Sequence, residues 1–140
     1  MIRQARVKDS RTVAHLLAQL GYPGTESIIE AQIARLLALP DEELMVYEDE
    51  GGVAGCISLH YMPLLAHPGD TAIISYLVVD SALRSKGIGQ LLEEYACEAA
   101  VKRNCGYIQV HCHASRTGAH RFYTRQGYME SPKYFSKKLG

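Results

Sequence analysis

The chain has no surplus of charge of either sign, because fifteen Lys and Arg balance fifteen Asp and Glu over 140 residues. Without a global field there is no general attraction to nucleic acid, and any anion must be held by a local cluster. No apolar run approaches the ~20 residues a membrane span needs, so no membrane partner is expected. The opening stretch MIRQARVKDS is charged from Arg3 onward and lacks the apolar core of a secretory signal, which points to a cytoplasmic protein. Cys56, Cys97, Cys105 and Cys112 include no CxxC spacing. In a reducing compartment such cysteines act as small apolar residues rather than as disulfide partners. No repeat, low-complexity tract or linker divides the sequence, and its length suits one domain over residues 1–140.

What is present is a series of short periodic segments. After a first strand around Ile2 to Val7, Val13, Leu16, Leu17 and Leu20 recur at helical spacing behind a cap at Asp9 or Ser10, and Gly21 ends that helix. A second helical pattern runs from about Thr25 through Ile29, Ile33, Leu36 and Leu37 until Pro40. ELMVYEDEGGVAGCISLHYM reads as two strands about Gly51 and Gly52, and TAIISYLVVD as a central strand buried on both faces. A long helix over Gly87 to Arg103 presents Ile88, Leu91, Leu92, Tyr95, Ala96 and Ala99 as one stripe. The strand YIQVHCH follows, then a short helix from Ser115 through Gln126 closed by Gly127, and one or two last strands in YMESPKYFSKKL. An antiparallel front half feeding a β-α-β crossover implies a mixed α/β sheet, mostly antiparallel, with helices on both faces.

The turn between the central strand and the long helix, DSALRSKGIG, is the one basic, glycine-punctuated segment. A helix N-terminus leaves N–H groups unpartnered and carries partial positive charge, so an anion is stabilised there. Gly87 and Gly89 permit close approach of the backbone, and Arg84 and Lys86 add charge. The turn is neither a Walker A loop, since GxxxxGK[ST] is absent, nor the dinucleotide fingerprint, since the third glycine of GxGxxG is missing. On spacing alone it is equally an ordinary strand-to-helix turn.

LVVDSALRSKGIGQLL resembles the acyl-CoA binding motif of the GNAT N-acetyltransferases, with Arg84, Gly87 and Gly89 at the fixed positions of [RQ]-x-x-G-x-[GA]. AHRFYTRQGY resembles that family's second signature, a short helix carrying a tyrosine followed by a glycine-aromatic turn. The similarity spans nearly the whole chain, and the ending YFSKKL is similar to the small single-domain group that contains aminoalkylphosphonate N-acetyltransferases. The resemblance implies a sheet splayed between its central strands and acetyl-CoA as co-substrate. It implies that the pyrophosphate sits on the N–H groups of Ser85, Lys86, Gly87, Ile88, Gly89 and Gln90, opposite the Arg84 and Lys86 side chains. The pantetheine arm would pair along Leu77, Val78 and Val79. The Val78 N–H would stabilise charge on the thioester oxygen, and Tyr123 would protonate or hold the departing thiolate. Ala119, Phe122 and Tyr123 are equally spaced as the core face of a short helix, which would make Tyr123 a packing residue.

The general base is where the pattern departs. Relatives often carry a carboxylate just before LVV, but this chain has Ser75 and Tyr76. Histidine is the natural substitute because its pKa lies near working pH, and His60, His111 and His113 all fall near the expected splay. His113 also occupies the place of an asparagine that touches the cofactor in the family. In a strand His111 and His113 would share a face and Cys112 the other, so no metal centre is expected. Tyr22, His60, His67 and Tyr76 are candidates for contact with the acceptor. Arg116 and Arg121 flank the second motif, and no carboxylate lies between Gly52 and Pro68, which suits a small amine bearing an anion. Two rival readings are an acetyl-CoA-binding sensor without turnover and a protein-directed acetyltransferase with an open groove. The sequence is compatible with a homodimer.

Overall fold

The computed structural model describes residues 1–112, 116–130 and 135–140. Among the described residues five strands form one sheet in sequential order: β1 (Ile2–Gln4), β2 (Glu42–Asp49), β3 (Gly52–Pro63), β4 (Asp70–Val79) and β5 (Cys105–Val110). The first four pair antiparallel, and β5 joins β4 in parallel. The parallel step requires a crossover, and α3 (Ile88–Lys102) supplies it. The remaining helices are α1 (Ser10–Leu20), α2 (Ile29–Leu37) and α4 (Thr117–Arg125).

The two faces of the sheet carry separate cores. On one, Val13 and Leu16 of α1 and Ile33 of α2 pack on Leu44, Val46, Cys56 and Val78. On the other, Ile88, Leu92, Ala96 and Ala100 of α3 pack with Tyr123 of α4 on Ile57, Leu59, Ala72 and Ile74. Leu16, Ile57, Leu59 and Leu92 have no accessible surface, so each contributes about 1.5–3 kcal/mol by burial. The inward side of α3 differs from the expected stripe. Leu91 is 45% exposed, whereas Ala100 and the charged Glu93 are buried, because the sheet meets the i, i+4 row Ile88, Leu92, Ala96, Ala100.

Local chemistry explains the element ends. Gly21 adopts a left-handed φ of 112°, and Tyr22 N–H donates to Leu17 O at 2.8 Å across it. Asp9 occupies the cap position of α1 without capping it. Its carboxylate instead accepts from the Arg6 N–H at 2.8 Å and from the Arg3 guanidinium at 2.9 and 3.0 Å. The second helix starts at Ile29, later than Thr25, because Thr25 O receives the N–H groups of both Ile28 and Ile29 in a preceding turn.

β4 is not buried on both faces throughout. Ile74 pairs with Leu59 and Tyr76 with Ser58, so Ser75 is an extra residue opposite the Ser58–Leu59 step. Ala72 and Ile74 therefore face α3, while Val78 faces α1 and α2. Ser75 and Tyr76 are exposed at this bulge. β5 ends at Val110, three residues short of the expected His113, so His111 and Cys112 have left the ladder. The final strand expected in YMESPKYFSKKL lies partly outside the described residues, and the described part of that segment carries none. All four cysteines are free, with Cys56 buried and the others half-buried.

Candidate functional site

The β4–α3 connection is built to expose backbone. Asp80 ends β4, donates its N–H to Ala54 O at 2.8 Å, and caps a tight turn at Ser81–Leu83 by accepting from Ala82 N–H at 3.0 Å. Gln19 of α1 accepts from Ser81 N–H at 2.8 Å, tying the loop to the opposite core. Arg84 then runs extended, with Nε 3.4 Å from Val79 O, and its side chain is exposed beside Ser85 and Lys86. Ser85 has a φ of 69° and Gly87, the residue before α3, a φ of 82°. Two left-handed residues in three lie just before α3, whose first-turn N–H groups have no partner within the helix, and turns of this kind are suited to holding an anion.

The two motif glycines have different surroundings. A Cβ on Gly87 would meet nothing within 4 Å, so its conformation is what requires glycine. A Cβ on Gly89 would lie 3.5 Å from the Phe122 ring and 3.7 Å from Val79. Those are ordinary van der Waals distances, so a methyl group would fit at Gly89 between α3, Phe122 and Val79. Ile88 is 5% exposed with its side chain in the core, so only its backbone faces the turn, and the Gln90 side chain donates to Glu94 at 2.9 Å.

The sheet opens next to this loop. β4 and β5 pair up to Ile74 and Val110, after which Leu77, Val78 and Val79 keep their pairing with β3 but have no strand partner on the β5 side. A cleft fills the opening, walled by Ser75, Tyr76 and Leu77 on one side and by His111, Cys112, Arg116 and Tyr123 on the other. Leu20 and Tyr22 border it from the end of α1, and the Tyr22 and Tyr76 rings meet edge to face at 5.4 Å. The Gly21 turn is what brings Tyr22 there. Among the described residues lining the cleft there is no Asp or Glu, and His111 is the imidazole present.

Tyr123 is 9% exposed, and burial raises its pKa, with Cys112 and Glu93 adding to the rise and Arg116 opposing it. The phenol therefore stays protonated through neutral pH. Burial likewise raises the Cys112 thiol, again against Arg116.

The other candidates lie elsewhere. His60 of β3 sits directly opposite Glu42 of β2 and bonds to its carboxylate at 2.5 Å, outside the cleft lining. His67 packs edge to face on Tyr107 at 5.4 Å, toward the opposite end of β5. His113 lies outside the described residues. Sequence reasoning missed Leu20 and Cys112, which carry no motif and reach the cleft through the Gly21 turn and the early end of β5. No group of three metal-ligating side chains occurs among the described residues, and none of their helices is long and apolar enough to cross a membrane.

Comparison with known proteins gives consistent results. Residues 11–128 match the acetyltransferase (GNAT) family. The aminoalkylphosphonate N-acetyltransferase of Salmonella typhimurium (strain LT2) is 31% identical over 99% of this chain and 90% of that protein. An uncharacterised N-acetyltransferase, YhdJ, of Bacillus subtilis (strain 168) is 32% identical over 82% of this chain and 83% of its own length. The crystal structure of glucosamine-6-phosphate N-acetyltransferase from Arabidopsis thaliana superposes with a TM-score of 0.85 at 24% identity, covering all of this chain and 98% of that one.

Proposed function

Since the chain belongs to the GNAT family and is an acetyltransferase, we propose that residues 1–140 form one unit that moves the acetyl group of acetyl-CoA to the primary amine of a small anionic molecule. The observation that carries this reading is the junction of two features: an exposed anion cradle at the N-terminus of α3, and beside it a strand, Leu77 to Val79, that β5 leaves unpaired. A pyrophosphate held by the N–H groups from Ser85 to Gln90, with Arg84 and Lys86 alongside, points a pantetheine arm along that strand. The thioester then reaches the cleft between Ser75 and Tyr123.

In this mechanism the neutral amine attacks the thioester carbonyl, and a backbone N–H near Val78 stabilises the oxyanion. Collapse of the intermediate forms the amide and expels the thiolate of coenzyme A. Tyr123 donates a hydrogen bond to that sulfur. Its raised proton affinity makes outright loss of the proton unfavourable, so transfer to sulfur is balanced by a proton arriving from the ammonium of the intermediate. His111 is the cleft group suited to accept the amine's proton beforehand, directly or through water.

The acceptor assignment draws on the cleft's charge. Arg116 and His111 line it without a carboxylate, and a related protein acetylates aminoalkylphosphonates. An anionic amine offers its negative end to the Arg116 guanidinium, whereas a polyamine finds nothing to replace its lost hydration. The test is release of free thiol from acetyl-CoA with aminoethylphosphonate or spermidine at equal ionic strength. A higher kcat/KM for the phosphonate is expected; preference for spermidine refutes the anionic acceptor, and binding without thiol release for any amine refutes turnover.

A further inference from the structure

Glu93, in the second turn of α3, is a buried carboxylate that the mechanism above does not use. It is 3% exposed, and among the described residues no Lys or Arg pairs with it. Its partners are two neutral donors on one oxygen: the Tyr128 hydroxyl at 2.9 Å and the Cys97 thiol at 2.8 Å. A carboxylate buried without a cation is costly to keep, and an apolar side chain of similar volume would give a more stable helix.

The Tyr128 end of this contact leads to the cleft. Tyr128 follows Gly127, whose φ of 95° reverses the chain after α4, and its N–H donates to Tyr123 O at 3.0 Å. The Tyr128 and Tyr123 rings meet edge to face at 5.3 Å, and Phe122 lies at 5.1 Å on Tyr123. Tyr123 is thus held by one neighbour whose hydroxyl is anchored on α3, the helix that also begins at the anion cradle.

We propose that Glu93 is a positioning residue for thiolate departure: by fixing the Tyr128 hydroxyl it sets the place of the Tyr123 ring relative to the cofactor that α3 holds. The proposal rests on the reading of Tyr123 as donor to the leaving sulfur. Glu93 touches neither substrate nor cofactor. Its action is geometric, since a hydrogen bond of fixed length to a ring of fixed shape locates Tyr128, and a packed ring contact passes that location to Tyr123. Among the described residues, the charged and titratable groups facing Tyr123 are Cys112 and Arg116 from the β5–α4 side, Glu93 from α3 and Tyr128 from the turn after α4.

The test separates positioning from stability. Glu93→Leu should melt no lower than the parent yet lose roughly tenfold in kcat, the size of a contacting-pair interaction, with KM for acetyl-CoA within about twofold. Glu93→Gln should keep most of the rate, because its amide oxygen still accepts from Tyr128. Tyr128→Phe should reproduce the loss seen with Glu93→Leu, and it carries the test if that variant does not fold. In a Tyr123→Phe background neither change should lower kcat further. Unchanged kcat in both single variants, or an equal factor lost in the Tyr123→Phe background, overturns the proposal. If Tyr123→Phe itself keeps full kcat, the donor reading has failed as well; if it loses rate while Glu93→Leu and Tyr128→Phe do not, only the positioning role has failed.

Discussion

Gly87 and Gly89 stand two residues apart in one motif, but alanine should act on them with opposite sign. At Gly87 the φ of 82° forces a side chain into the left-handed region, which costs about 1–2 kcal/mol for a residue with Cβ. Open space around the missing Cβ means no packing loss adds to this. For a chain of 140 residues the result is a fall in Tm of roughly 3–7 °C. At Gly89 the new methyl would lie 3.5 Å from Phe122, an ordinary contact, and the helical backbone accepts alanine without strain. Removing glycine's freedom in the unfolded chain then stabilises by about 0.4–1 kcal/mol. Differential scanning calorimetry on the pair, without ligand, measures both. Equal destabilisation by the two variants would refute the conclusion that conformation requires glycine at Gly87 while Gly89 has room for a methyl group.

Three further outcomes are expected. Arg84→Glu should weaken acetyl-CoA binding in calorimetric titration by at least about tenfold at low salt, and less at high salt, with Tm unchanged, because the side chain is exposed beside the cradle. Arg3 hydrogen bonding holds the Asp9 carboxyl below its ordinary value, so its contribution is present above about pH 4 and is lost as pH falls through the lowered folded value; Asp9→Asn should remove that acid-side loss from a Tm-against-pH curve. Burial pushes the Cys56 thiol up to about 12, so mass-spectrometric mapping after alkylation at pH 8 should find Cys56 unmodified in the folded protein, whereas labelling at the rate of Cys105 would contradict its burial.

Periodic segments were legible because one face of each meets a core. The runs around Val13 and Leu16, Ile33, and Leu92 and Ala96 pack as their spacing implies, and Gly21 ends its helix by the left-handed turn that glycine permits. Less legible were features set by tertiary partners. The burial of Glu93 has no signal in the helical spacing, because its donors are Cys97, one turn along α3, and Tyr128, brought to it by the Gly127 turn. His60 reads as a free imidazole near the splay, yet it faces Glu42, eighteen residues earlier, through strand register alone. The Arg84–Gly89 turn was recognisable because its chemistry is local backbone geometry. The cleft was recognisable only in outline, since Leu20, Tyr22, Tyr76 and Cys112 meet there through a turn, a bulge and a strand end.

The extra residue at Ser75 makes β4 a strand with two addresses. Before it, side chains at even positions report to the α3 core; after it, even positions report to the α1–α2 core and odd ones to α3. Drawing that residue into the regular ladder would shift the register by one and exchange the addresses of everything from Tyr76 to Val79, whereas deleting it would leave them as they are, because Tyr76 already pairs opposite Ser58 next to the Leu59–Ile74 pair. The half of the strand that pairs with β5 and the half that leaves it can therefore vary separately, each constrained by a different set of neighbours. A family member could in this way reshape the wall of its cleft without renegotiating the scaffold that holds the sheet together.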